Sequence, residues 1–143
     1  MRVEAALQAR HTRIVTIRMD ETVLAAARRL RAENIGVLVV KDTCATEGDA
    51  VAGIVTERDI LQVIADHGTA AFSRPVHALL KKGAVFCRPE DSIECVLSLM
   101  DERHIRYIPV LDEEALVGVI SMRDAMTLSK GRAVAHRPAL APA

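Results

Sequence analysis

Residues 22–40 read TVLAAARRLRAENIGVLVV, and residues 92–110 read SIECVLSLMDERHIRYIPV. Laid together, Thr22 falls on Ser92, Asn34 on His104, Ile35 on Ile105 and Val40 on Val110. Further on, GIVTERD at Gly53–Asp59 falls on GVISMRD at Gly118–Asp124. The register changes by five residues between the two blocks. The extra residues of the first copy fall in Asp42–Ala50, a stretch of Gly, Asp, Thr and Glu that suits a longer hairpin loop. The chain therefore carries one supersecondary unit twice, and a repeat of this kind governs the fold.

Each copy has the same predicted layout. A short extended piece, Arg13–Ile17 or Ala84–Cys87, precedes an amphipathic helix. Val23, Ala26, Ala27 and Leu30 recur at helical spacing in one copy, and Ile93, Val96, Leu97 and Met100 in the other. Thr22 and Ser92 stand at the N-cap positions, with Asp20, Glu21, Glu90 and Asp91 beside them at the end of the helix dipole that favours acids. Two β-branched, buried-type runs follow, Ile35–Val40 then Val51–Val55 in the first copy, Tyr107–Leu111 then Leu116–Ile120 in the second. A second helix closes each unit, over roughly Glu57–His67 or Met122–Lys130. The order is β-α-β-β-α, an α/β (α+β) class. About sixty residues with one apolar sheet face bury that face poorly alone, so the two copies are expected to pack as one module.

Composition bounds the function. The 143 residues hold 19 basic and 19 acidic side chains and no Trp; Phe72, Phe86 and Tyr107 are the aromatics. Zero net charge and few rings argue against a nucleic-acid partner. No apolar run reaches the roughly 18 residues of a membrane span, and Met1–Arg10 has no signal-peptide character, so the expected compartment is the cytoplasm. Cys44, Cys87 and Cys95 form no CxxC; the latter two read as small buried hydrophobes. The scattered histidines show no HxxxH or HExxH, and no metal site is expected. No nucleophile–base spacing, family-like carboxylate pair or P-loop is present, so no catalytic function is expected.

With the repeat and its G-h-h-[ST]-x-x-D signature in view, the chain resembles the cystathionine-β-synthase (CBS) domain in tandem, the Bateman module. Both copies carry the signature: Gly53, Thr56 and Asp59, then Gly118, Ser121 and Asp124. The second also carries Ile108-Pro109-Val110, a run common in that strand of the family. The resemblance spans roughly Arg10 to Lys130. It implies two pseudo-symmetric CBS repeats, of stand-alone bacterial type, with two clefts between them. Such modules act as regulatory sensors that bind adenosine compounds: AMP, ADP, ATP, NAD(H) or S-adenosylmethionine. By resemblance, one cleft uses Ile54, Thr56 and Asp59 with Val85, Ile105 and Arg106. The other uses Val119, Ser121 and Asp124 with Val15, Ile35 and Gly36. Because Arg106 falls on Gly36, the clefts are expected to be unequal.

Physical chemistry agrees with this assignment and also offers a plainer one. An aspartate at the third helical position can accept both ribose hydroxyls, and a hydroxyl at a helix entrance with free N–H groups behind it suits a phosphate oxygen. Yet Thr56-x-x-Asp59 and Ser121-x-x-Asp124 also resemble capping boxes, which begin helices that bind nothing. Arg58 and Arg123 can reach phosphates or lie on a solvated helix face. Arg106 can be a phosphate ligand or pair with Glu102. Gly36 can simply relieve crowding at a strand start. The apolar positions can be core.

The expected boundaries are a first repeat at 10–68 preceded by a short helix at 3–9, a linker at 69–82, a second repeat at 83–130 and a mobile tail at 131–143. Val76–Leu80 is expected to be a short helix returning the chain to the second unit, with Val3–Gln8 as its counterpart. The leading functional expectation is a nucleotide-binding regulator of energy or redox state, acting on a partner that the sequence does not identify. The alternative is an assembly module without a physiological nucleotide. A homodimer is expected through the helices opening at Glu57 and Met122, with Ile60, Leu61, Ile64, Met126 and Leu128 as candidate contacts.

Overall fold

The computed structural model describes residues 1–9, 13–42, 50–81 and 85–133. Most of the loop expected between Asp42 and Ala50, the Ala84 strand start, Cys44 and residues 134–143 of the expected tail lie outside the described residues, while residues 131–133, also expected in the tail, continue the last helix. The first repeat consists of β1 (Thr16–Arg18), α2 (Val23–Glu33), β2 (Val37–Asp42), β3 (Ala50–Thr56) and α3 (Glu57–His67), after a first helix α1 (Val3–Ala9). The second repeat holds α4 (Ile93–Arg103), β4 (Tyr107–Asp112), β5 (Ala115–Ser121) and α5 (Met122–Ala133). In the first sheet β1 pairs parallel with β2, and β2 antiparallel with β3. In the second, β4 and β5 pair antiparallel, and the expected first strand is reduced to one parallel bridge, Cys87 to Val110.

Helix boundaries follow local chemistry. The Thr22 and Ser92 hydroxyls accept from the N–H groups of Ala25 and Cys95, each 3.1 Å away, and so start α2 and α4. Both helices end on a residue in the left-handed region, Asn34 at φ 54° and His104 at φ 56°. That reversal consumes two residues, so β2 begins at Val37 rather than at Ile35.

The central strands are buried on both faces, which explains their unbroken apolar runs. Leu38 and Val40 join Val23, Leu30, Val55 and Ile60 in the core of the first repeat. Val37 and Val39 face the other way and meet Val119 of the second repeat, with Ile54, Tyr107 and Leu116 around them. Ile93, Val96, Met100, Ile108 and Ile120 form the second repeat's own core. The repeats thus join sheet to sheet through a small apolar seam.

The segments ahead of each repeat are exchanged. The linker forms two 3-10 turns, Gly68–Ser73 and Val76–Leu79, and closes the first repeat instead of returning the chain to the second. The Val76 N–H donates to Glu21 O at 2.7 Å, and the Val23 N–H to Arg74 O at 2.8 Å. The N-terminal helix makes the matching bonds to the second repeat: Val3 N–H to Asp91 O at 2.8 Å, and Ile93 N–H to Met1 O at 2.9 Å. VEAAL at residues 3–7 therefore does for one repeat what VHALL at residues 76–80 does for the other. Val3 and Val76 are both fully buried.

Candidate ligand-binding site

The Gly-led strand enters each second helix through its signature hydroxyl. At α3 the Asp59 N–H donates to Thr56 Oγ1 at 3.2 Å, and the Thr56 N–H donates to Asp59 Oδ2 at 2.9 Å, a complete capping box. The Thr56 hydroxyl itself donates to Oδ2 at 3.1 Å. Thr56 has therefore spent its proton, and Asp59 keeps one oxygen, Oδ1, for any further donor. Lys81 Nζ stands 3.8 Å from that oxygen. At α5 the box is one-sided. The Asp124 N–H donates to Ser121 Oγ at 3.0 Å, and among the described residues the Asp124 carboxylate makes no return bond.

The helix-start N–H groups are also partly spent. Glu57 N–H donates to Gly36 O, and Met122 N–H to Arg106 O. With the Asp59 and Asp124 amides held by their caps, Arg58 and Arg123 carry the remaining first-turn N–H groups. The entrance offers less free donor capacity to an anion than the sequence implied.

A cavity of about 1110 Å³ opens between the repeats. From the first repeat Ile54, Thr56, Arg58 and Asp59 line it, and so does Ile35, which the resemblance assigns to the other cleft. From the second come Val85, Ile105 and Arg106. Every residue assigned by resemblance to the first cleft thus borders one space, and Asp59 is 15% exposed. Val119, Ser121, Arg123, Asp124, Val15 and Gly36 do not line it. Val119 belongs to the apolar seam and Ser121 is 8% exposed, its hydroxyl turned to its helix.

Sequence reasoning missed Lys81 and Tyr107, which also border the cavity. Lys81 lies in the expected linker, and nothing local in the sequence marks it as a site residue. Tyr107 was read only as the start of a strand. Its ring reaches from β4 to the first repeat, where a Cβ on Gly36 would stand 2.7 Å from its hydroxyl and 3.4 Å from Glu57 Oε1. Burial, and next the Glu57 carboxylate, push the phenol's pKa up, while Arg106 pulls it down. The signature glycines also have a packing role. A Cβ on Gly53 would meet Leu80 at 3.1 Å, and one on Gly118 would meet Leu7 at 2.9 Å.

Cys87 is buried and its thiol is pushed up to about 12, first by burial and then by Asp91. Cys95 is exposed, contrary to expectation, because it lies in the first turn of α4 between the buried Ile93 and Val96. Among the described residues, no group of three or more His, Cys, Asp or Glu is gathered as a metal site. No helix among them is long and apolar enough to cross a membrane.

Comparison with known proteins gives the arrangement a family. The CBS domain family model matches residues 8–66 and 76–131. A mitochondrial CBS domain-containing protein of Arabidopsis thaliana is 33% identical over 119 residues, which are 82% of this chain and 54% of that protein. The chain thus matches about half the length of that relative. A crystal structure of a CBS-domain containing protein from Agrobacterium tumefaciens superposes with a TM-score of 0.80 at 29% identity, covering 90% of this chain and 92% of that one. The CBS domain pair of protein MJ0100, solved with 5′-methylthioadenosine and S-adenosyl-L-methionine, superposes with a TM-score of 0.74. It covers 92% of this chain and 98% of that one, and at 19% identity it shares the fold alone.

Proposed function

The chain belongs to the CBS-domain family as a tandem pair, a regulatory module, and from that premise we propose that it senses an adenosine nucleotide. AMP, ADP and ATP are the favoured ligands, NAD(H) comes next, and the site of action is the cytoplasm. The observation that carries this reading is the inter-repeat cavity, which brings Asp59 of one repeat and Arg106 of the other to one space. Asp59 Oδ1 accepts a ribose hydroxyl, Ile54 and Ile105 hold the base, and Arg106 and Arg58 meet phosphate. A ligand that touches both repeats acts on their relative packing only through its difference in affinity for two arrangements. Calorimetry and thermal melting with AMP, ATP and NADH test the reading. Binding with a raised Tm is expected, and no heat and no shift at millimolar ligand would overturn it.

The helices opening at Glu57 and Met122 support a homodimer. Leu61 is 69% exposed, and its repeat-related counterpart Met126 is 39% exposed. They present an apolar pair on α3 and α5. Ile60 is core, and Ile64 and Leu128 are packed against their cores, so Leu61 and Met126 are the contacts that remain open. Sedimentation should show a dimer that Leu61→Glu with Met126→Glu converts to monomer; a wild-type monomer at all concentrations would refute it. These exposed side chains also favour the second reading, an assembly module without a physiological nucleotide. Full function retained in an Asp59→Ala, Asp124→Ala double variant would select that reading over sensing.

A further inference from the structure

The repeat relation allows the charge around the cavity to be compared with the charge at the equivalent positions of the other repeat. The cavity is bordered by five cations, Arg31, Arg58, Lys81, Arg103 and Arg106, and two carboxylates, Glu57 and Asp59, a surplus of three positive charges. The chain as a whole is neutral, so this surplus is local.

The repeat relation sends Arg31 to Asp101, Arg103 to Glu33 and Arg106 to Gly36. The exchanged segments send Lys81 to Gln8, because the bonds of Val76 are those of Val3. Only Arg58 keeps its sign, at Arg123, while Glu57 becomes Met122 and Asp59 remains acidic as Asp124. The equivalent set therefore carries three carboxylates against one cation. Arg13, whose Nη1 lies 3.1 Å from Glu33 Oε2, offsets one of the three. The cavity's cations thus have no matching surplus at the repeat-related positions.

We propose that charge sets the ligand and its stoichiometry: the Asp59 cavity takes one nucleoside di- or triphosphate per chain, and the repeat-related side around Asp124 takes none. This rests on the adenosine reading above and adds a stoichiometry, a ligand class and a new specificity residue, Lys81. Asp59 Oδ2 is held by the cap, so one oxygen, Oδ1, is left to face a ligand. Lys81 lies 3.8 Å from that oxygen, with its side chain 71% exposed, and is placed to bridge the sugar end and the phosphates. At the equivalent places Gln8 and Gly36 supply no charge, and Asp101 and Asp124 repel a polyanion.

The test is calorimetry on the full chain with ATP, adenosine and S-adenosylmethionine, at about 0.05 and about 0.5 M salt. ATP is expected to bind at one per chain and to weaken about tenfold at the higher salt, whereas adenosine should be nearly insensitive. Lys81→Gln with Arg106→Gly, which installs the residues of the repeat-related positions, should weaken ATP at least about tenfold more than it weakens adenosine. Both side chains are exposed, and an unchanged melting curve confirms folding. Two ATP of similar affinity per chain, or ATP and adenosine affected equally by salt and by the double variant, would overturn the charge selection and leave the adenosine reading standing. Failure of all three ligands to bind would overturn the adenosine reading, and the selection with it.

Discussion

The phenolic oxygen of Tyr107 stands where a side chain on Gly36 would begin, 2.7 Å from the position of its Cβ. The two residues belong to different repeats and meet beside the cavity. Gly36 is therefore more than a missing counterpart to Arg106, since its bareness admits a side chain from the other repeat.

Gly36→Ala is expected to destabilise the protein by about 1–3 kcal/mol, because the new methyl overpacks this junction. Tyr107→Phe removes the oxygen it meets, so the double variant should recover at least about half of that loss. A double-mutant cycle by urea denaturation reads the coupling. Strictly additive effects would show that the contact does not join the repeats.

The two signature aspartates should separate in stability. Asp59 closes a complete box, so Asp59→Ala should cost about 1 kcal/mol, as should Thr56→Ala and Ser121→Ala. Asp124 lacks the return bond, and Asp124→Ala should stay within about 0.5 kcal/mol of wild type. Equal losses at Asp59 and Asp124 would contradict the one-sided cap.

Glu21 and Arg29 form a two-bond pair, Nη1 to Oε2 at 3.0 Å and Nη2 to Oε1 at 2.8 Å. The Arg29 hydrogen bond chiefly holds the Glu21 carboxyl below its usual value, aided by the Arg18 N–H. A lowered folded-state pKa gives stability that is complete above the unfolded value of about 4.3 and is lost as pH falls through the folded one. Glu21→Gln should therefore cost about 1 kcal/mol at pH 7, a gap that persists to about pH 5 and closes on further acidification. Denaturation at several pH values checks it, and a gap that widens in acid would refute the pairing.

Alkylation should distinguish the described thiols. The buried Cys87 thiol, raised to about 12, stays protonated and shielded, whereas Cys95 is exposed. Iodoacetamide at pH 8 followed by peptide mapping should label Cys95 and spare Cys87 until denaturant is added. Equal labelling of the native protein would show that the second core opens readily.

The N-terminal helix should matter to the repeat that lies farther away in sequence. Val3→Ala opens a cavity in the second core and should cost about 1–3 kcal/mol. Hydrogen exchange should quicken in α4 and β4 before α2 and β2. The reverse order would place the helix on the first repeat.

Much of this molecule was legible one residue at a time. The duplicated pattern, the Thr22 and Ser92 caps, the apolar strands and the Thr56–Asp59 box depend on neighbours within four positions, where spacing dictates geometry. The family followed from that duplication. Tertiary structure alone could decide which segment closes which repeat, because VEAAL and VHALL are too alike and too short to declare their partner. It also decided that Tyr107 meets Gly36, that Lys81 reaches Asp59, and that Cys95 faces outward while Cys87 does not. Periodicity specifies which face of an element is apolar; which distant element covers that face depends on the path of the whole chain.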